Sequence, residues 1–171
     1  MRNKIKVLNL SVLAYISLGS NCGDSKKNLR QALDKIAVLP YTDIVKISAV
    51  YHTEPQEDRA QAWFYNQAAA ISTSLSPLEL LHALQAIELS LGRSRSPGRR
   101  FGPRSMDLDI LMYAGLTLNS PDLTLPHPRL AQRAFVLVPL VEVVSNDLLE
   151  GLEAKLRKID YTVDGNRIFQ S

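Results

Sequence analysis

Residues 77 to 91 form a strongly marked helix, and that helix constrains what the strand-like segments around it can build. Ser76 is placed as N-cap, Pro77 takes the first helical position, and Glu79 follows the cap by three residues, the signature of a capping box. Leu80, Leu84, Ile87 and Leu91 recur on one stripe, and Gly92 is placed to end the helix. A second helix is predicted over 25 to 38, capped by Asp24 or Ser25. Strand patterns at 13 to 19, 44 to 52, 64 to 75 and 107 to 113 surround these helices, giving the order β-α-β-β-α-β.

A helix with one apolar stripe must bury it against a sheet. The order is accommodated by an α+β fold of ferredoxin-like type, an antiparallel sheet with both helices on one face, and further short helices follow in 129 to 144 and 151 to 158. At 171 residues, with 46% hydrophobic and 22% charged residues, one domain over 1–171 is expected. Cys22 is the only cysteine, so the chain can make no intramolecular disulfide and no thiolate cluster. The thiol is read as a small packed or incidental residue, a reducing compartment is compatible with it, and a cytoplasmic location is expected. Residues 1 to 14 faintly resemble a basic, then apolar leader, but Asn9 and Ser11 interrupt it and no cleavage site is evident. No uninterrupted apolar run is long enough to span a bilayer, so no membrane partner is expected. A net charge of +3 suits an anionic ligand but is too small to imply nucleic acid.

The chemistry is concentrated in 93 to 111. Asp107 and Asp109 alternate along a strand, which puts them on one face with Cα atoms about 6.6 Å apart. They can grip one magnesium ion or two neighbouring ones. Arg93, Arg95, Arg99, Arg100 and Arg104 lie just upstream, and five guanidinium groups in so short a segment repel one another unless anions gather there. Either half of this pattern alone is ordinary, since an acidic strand face or an arginine run is usually solvated surface. Side by side they suit a magnesium-bound triphosphate. The glycine-bearing turn Gly19-Ser20-Asn21-Cys22-Gly23 lacks the Gly-Lys-Ser/Thr ending of a phosphate loop, so phosphate handling falls to side chains and metal.

The segment Arg100-Phe101-Gly102-Pro103-Arg104-Ser105-Met106-Asp107-Leu108-Asp109-Ile110-Leu111 resembles the signature of the 6-hydroxymethyl-7,8-dihydropterin pyrophosphokinases of folate biosynthesis. The resemblance continues, in the family's order, through Tyr15 to Asn21, Thr53-Glu54-Pro55, Asn66, Gln85 and Glu88, Leu125 to Arg129, and Arg133-Ala134-Phe135, covering about 13 to 145. It implies transfer of the β,γ-pyrophosphoryl group of ATP to the 6-hydroxymethyl oxygen of the reduced pterin, with release of AMP. It further implies two Mg²⁺ ions on Asp107 and Asp109, with Arg93, Arg95, Arg100, Arg104 and Arg133 on the triphosphate. Arg99 is the alternative to Arg100, because this loop is one residue longer than the commonest family form. Gln85, Glu88, Ile110, Thr124 and His127 are implied on the nucleotide side. The pterin would meet Thr53, Glu54, Pro55, Phe64, Asn66, Phe101 and Phe135. The expected partners are these two small molecules, with no nucleic acid, and the expected state is a monomer, a dimer being left open.

This sequence departs from the family pattern at Glu54, often proline, at Phe101, commonly tryptophan, at Pro128, often aromatic, and at Ser96, where lysine occurs. Residues 1–12 and the tail 160–171 have no clear counterpart, and the polar tail is expected to be partly disordered. The loops 53 to 63 and 92 to 106 are expected to close over the substrates. Two other readings are a nucleic-acid module using the arginine run and a scaffold that binds nucleotide without turnover.

Overall fold

The strand and helix segments read from the sequence recur, with additions, in a computed structural model that describes residues 10–56, 59–93, 102–161 and 165–171. The elements are β1 (Val12–Ser20), α1 (Ser25–Ala37), β2 (Thr42–Ile47), β3 (Tyr51–Thr53), β4 (Phe64–Thr73), α2 (Pro77–Ser90) and β5 (Asp107–Tyr113). After them come β6 (Leu118–Asn119), β7 (Thr124–Leu125), a 3-10 turn at Leu130–Gln132, α3 (Ala134–Val141), α4 (Asn146–Leu156) and β8 (Ile168–Gln170). The main sheet runs β5-β1-β4-β3-β8, with β2 also paired to β4, and its pairs are antiparallel.

Both early helices begin as their caps dictate. Asp24 Oδ1 accepts from Lys27 N at 3.1 Å, and the Ser76/Glu79 capping box is fully formed. Alternation along β1 then sorts the core into two layers. Ala14, Ile16 and Leu18 point to one face, where Leu29, Ala32 and Ile36 of α1 and Leu80, Leu84 and Ile87 of α2 cover them. Each fully buried leucine there contributes roughly 2 to 3 kcal/mol of burial. Tyr15 points to the other face and packs with Ala68, Ala70 and Leu111 under Val136, Leu137 and Leu140 of α3 and Leu152 of α4.

Several boundaries differ from the sequence reading. The strand expected over 44 to 52 is two strands, because at Ser48 side chains replace part of the ladder. Ser48 Oγ accepts from Ala68 N at 2.9 Å, Gln67 Nε2 donates to Ser48 O at 2.7 Å, and Ala49 N donates to Glu142 Oε2 at 2.8 Å. Glu88, implied by the resemblance on the nucleotide side, is buried beside Ile87. The last helix starts earlier than 151, at Asn146. The tail, expected to be partly disordered, supplies β8 and extends the sheet beyond β3.

Candidate active site

The face that α3 and α4 cover further along continues, past Tyr15, Ala68 and Leu111, as Ser17 and Gly19 of β1, Asn66 of β4, and Asp107 and Asp109 of β5. There these residues line a cavity of about 370 Å³ together with Thr53, Glu54, Pro55, Gln56, Gln61, Phe64, Arg104, His127, Pro128, Arg129, Arg133 and Phe135. The register explains the grouping. Gly19 stands opposite Asp107 on one side and Asn66 on the other, and Ser17 stands opposite Asp109. Leu108 and Ile110 point to the opposite face and anchor the strand in the core.

Asp107 sits between two guanidinium groups. Arg93 Nη2 lies 2.9 Å from its Oδ1, and Arg104 Nη1 hydrogen-bonds its Oδ2. Arg93 is in turn paired with Glu88, whose buried carboxylate also accepts from Leu108 N at 2.7 Å. Burial pushes the Glu88 carboxyl above its ordinary value, against the pull of Leu108 N and Arg93. Glu88 therefore fastens α2 to β5 and holds Arg93 toward Asp107.

Asp109 is pushed up to about 7, first by burial and then by the negative charge of Asp107 and Glu88, with Arg133 and Arg104 opposing. Hard carboxylate oxygens crowded on one strand face, where the second charge is penalised, fit a hard divalent cation such as Mg²⁺, which needs only one or two carboxylates beside substrate oxygens. Among the described residues no group of three or more His, Cys, Asp or Glu side chains is arranged as a metal site. The two aspartates therefore suit a metal shared with a ligand better than an all-protein cage.

His127 borders the cavity on the nucleotide side implied by the sequence. Its backbone N–H donates to Leu111 O at 2.9 Å, and its ring Nδ1 accepts from Arg129 N at 3.2 Å. Burial, then Arg133 and Arg129, hold its imidazole below the ordinary value and so favour the neutral ring. Ile110 and Thr124 line a smaller neighbouring pocket, with Leu81, Asp122 and Leu123, that shares Asp109, His127 and Pro128 with the main cavity. Arg133 lies over the ring of Phe135, 5.4 Å from its centroid.

Asn66, Phe64, Phe135 and the 53 to 56 segment, where the resemblance implies the pterin, line the same cavity. Asn66 Nδ2 donates to Thr53 Oγ1 at 2.6 Å, tying the sheet floor to that wall.

Thus thirteen of the site residues implied by the resemblance line one or other pocket, and a fourteenth, Arg93, pairs with Asp107, which does. Glu88 and Gln85 line neither pocket among the described residues. Arg95, Arg99, Arg100 and Phe101 lie outside the described residues. Sequence reasoning passed over Gln61, named Ser17 and Arg129 only within the stretches that carry the resemblance, and weighed Asn21 more as a turn residue than as one that lets backbone approach the substrate. Asn21 joins two loops: its Nδ2 donates to Gln61 Oε1 at 2.9 Å and Ala62 O at 3.0 Å, and its Oδ1 accepts from Arg104 N at 2.8 Å. Its signals in the sequence were its place directly after strand β1 and at the end of the resembling stretch Tyr15 to Asn21.

Comparison with known proteins gives a consistent result. Residues 15–145 match the family described as 7,8-dihydro-6-hydroxymethylpterin-pyrophosphokinase (HPPK). A 2-amino-4-hydroxy-6-hydroxymethyldihydropteridine pyrophosphokinase of Methylorubrum extorquens is 43% identical over 149 residues, 86% of this chain and 93% of that one. The enzyme of the same name from Bacillus subtilis is 45% identical over 131 residues, 77% of each chain. Among solved structures, an HPPK-DHPS in complex with substrates superposes with a TM-score of 0.68 at 13% identity, over 94% of this chain and 46% of that one. A wild-type Plasmodium falciparum HPPK-DHPS gives 0.63 at 15% identity, over 93% and 49%. This chain thus spans about half the length of those two-part proteins, and at such identities they speak for the fold alone. Among the described residues no helix is long and apolar enough to cross a membrane.

Proposed function

This chain belongs to the 7,8-dihydro-6-hydroxymethylpterin-pyrophosphokinase family, and on that premise we propose that it transfers the β,γ-pyrophosphoryl group of ATP to 6-hydroxymethyl-7,8-dihydropterin, yielding AMP, in folate biosynthesis. The observation that carries this reading is one cavity lined by Asp107 and Asp109 together with Arg104 and Arg133, and by Asn66 with Phe64 and Phe135. The first set suits phosphates and the second a flat heterocycle.

Pyrophosphoryl transfer needs little covalent help from protein; it needs in-line placement and neutralised charge. In this reading Arg93, Arg104 and Arg133 neutralise and orient the triphosphate, Arg95 and Arg100 join them, and Ile110, Thr124 and His127 border the nucleotide. Phe64, Phe135 and Phe101 give ring faces to the pterin, and Asn66 gives its amide to the pterin's hydrogen-bonding edge. Asp107 and Asp109 would hold Mg²⁺, two ions in the full proposal, and the metal when bound supplies charge neutralisation on the phosphates and polarises the attacking hydroxyl. Asp107 also keeps Arg93 and Arg104 gathered at the phosphate side before substrate arrives. A monomer working in the cytoplasm completes the proposal. The deciding experiment measures AMP release from ATP and Mg²⁺ with and without the pterin. Pterin-dependent AMP supports the reading, and AMP formation indifferent to pterin, or none from folded protein, overturns it.

A further inference from the structure

The C-terminal segment grips the stretch of chain that forms one wall of the cavity. β8 lies along β3 in the register Tyr51 to Gln170, His52 to Phe169 and Thr53 to Ile168. The ladder runs past both ends of the strands, with Ser171 N donating to Val50 O at 2.9 Å and Glu54 N donating to Arg167 O at 3.0 Å. Side chains take over from there. The Glu54 carboxylate, only 5% exposed, accepts from Arg167 Nε at 3.0 Å, from Arg167 Nη2 and from Gly165 N at 2.7 Å, with a longer contact from Arg59 Nη2 at 3.4 Å. Gln56 Nε2 donates to Asn166 Oδ1 at 3.0 Å, and a Cβ on Gly165, whose φ is +91°, would stand 3.2 Å from Gln56 Cα.

Glu54 is therefore a cavity-lining residue whose carboxylate is already committed to partners within the chain. Both carboxylate oxygens are taken by a planar fork and a backbone N–H from the tail, which fixes the rotation of the side chain and with it the backbone of 53 to 56. Arg167 is not among the residues lining the cavity and acts on it only through this wall.

We propose that Arg167 and Glu54 are a positioning pair, through which the C-terminal segment sets the pose of 53 to 56 and so the affinity for the heterocyclic substrate without touching it. This rests on the pyrophosphokinase reading above, in which that wall faces the pterin. Losing the fork frees the loop to sample other poses, so the bound pose is populated for a smaller fraction of the time. Asp107, Asp109 and Ile110 of the nucleotide side lie on β5, which β1, β4 and β3 separate from β8 in the sheet, and do not share this tether.

The test compares Arg167→Gln and Arg167→Lys with the unaltered chain in steady-state assays, with Leu84→Val as a control that lowers Tm from the far side of the sheet. Arg167→Gln is expected to raise KM for the pterin about tenfold while KM for ATP stays within about twofold, with Arg167→Lys falling between because it keeps the charge but not the fork. Isothermal titration of the pterin in the presence of a non-hydrolysable ATP analogue should show the same loss. Emission of Trp63, the only tryptophan, over whose ring the Arg167 guanidinium lies at 5.6 Å, should shift in both variants and not in the control. An unchanged pterin KM, parallel rises in both KM values, or the same pattern in Leu84→Val overturns the proposal. Should Arg167→Gln not fold, the Arg167→Lys comparison decides alone. Absence of pterin-dependent AMP from the unaltered chain would overturn the pyrophosphokinase reading and this one with it; a normal enzyme indifferent to Arg167 overturns this one only.

Discussion

A Cβ on Gly19 would stand 2.7 Å from Asn66 Oδ1, so these two residues compete for one volume on the floor of the cavity. They are partners in the β1–β4 register, and Asn66 is 4% exposed with its Nδ2 committed to Thr53 Oγ1. Glycine is needed here for space rather than for an unusual backbone angle. Gly19→Ala would push the amide off Thr53 or bend the strand, at a cost of about 1 to 3 kcal/mol. The expected outcome is a lower urea midpoint together with a pterin KM raised about tenfold or more and an ATP KM nearly unchanged. Equal effects on both substrates would show that Asn66 does not serve the pterin side.

The aspartates should separate by role. Asp107 is ion-paired with Arg93 and Arg104, whereas Asp109 is partly buried and its charge is disfavoured by desolvation and by Asp107. Asp109→Asn removes a penalised charge, so the metal-free protein should be as stable as the unaltered chain or more so. The Mg²⁺-dependent turnover should fall by about 10² or more, on the scale seen when a preorganised charge is lost from a transition state. Asp107→Asn should lose turnover to a similar degree and, in addition, lose stability, because Arg93 and Arg104 keep their charges without its carboxylate. Thermal unfolding with and without Mg²⁺ and ATP analogue distinguishes the two. A stability loss in Asp109→Asn without metal would contradict the assignment.

Much of this arrangement was legible in the sequence where local chemistry decides it. Ser76, Pro77 and Glu79 cap their helix as read, and the alternation of Asp107, Leu108, Asp109 and Ile110 places both carboxylates on one face. What could not be read depends on partners far along the chain. Glu88 is polar and lies at the edge of an apolar stripe, so nothing local reveals that Leu108 N and Arg93 meet it inside the protein. The break at Ser48 depends on Gln67, Ala68 and Glu142. The tail looked too polar to order itself, and it does not need to, because β3 offers a free edge and Glu54 offers a carboxylate to Arg167. The same pairing explains why Glu54, which departs from the family pattern, is accommodated beside the cavity.

Glu54 should also leave a mark on acid stability. Arg167, then Gly165 N, lower its carboxyl from an ordinary value of 4.5 to about 2. A carboxyl depressed in the folded state contributes stability that is complete above its unfolded value and is lost as pH falls through the folded one. The contribution should therefore vanish progressively between pH 4.5 and about 2. In Tm measured against pH, the unaltered chain should fall more steeply through that window than Glu54→Gln, the two curves running closer together at its acid end. Parallel curves throughout would mean that the tail pairing is not formed in solution.

Asn21 offers the sharpest test of how the two loops around the cavity are coupled. It donates to Gln61 and Ala62 at the end of one loop and accepts from Arg104 N at the end of the other, while its own N–H donates to Arg104 O at 3.0 Å. Asn21→Asp keeps the acceptor toward Arg104 but replaces both donors with an oxygen, setting it against Gln61 Oε1 and Ala62 O. Losing two part-buried bonds and leaving their acceptors unmatched should cost about 2 to 4 kcal/mol, less whatever water recovers. The side chain of Gln61 lines the cavity and Arg104 contacts Asp107, so the uncoupling reaches both substrate halves. The expected kinetic result is therefore a rise in both KM values, unlike the pterin-selective rise expected at Arg167. Hydrogen exchange should show reduced protection at Ala62 and Trp63, with protection at Arg104 retained through the surviving bond to Oδ1. If exchange at 61 to 63 is unchanged while activity falls, Asn21 acts on the substrates directly and the coupling is not what matters.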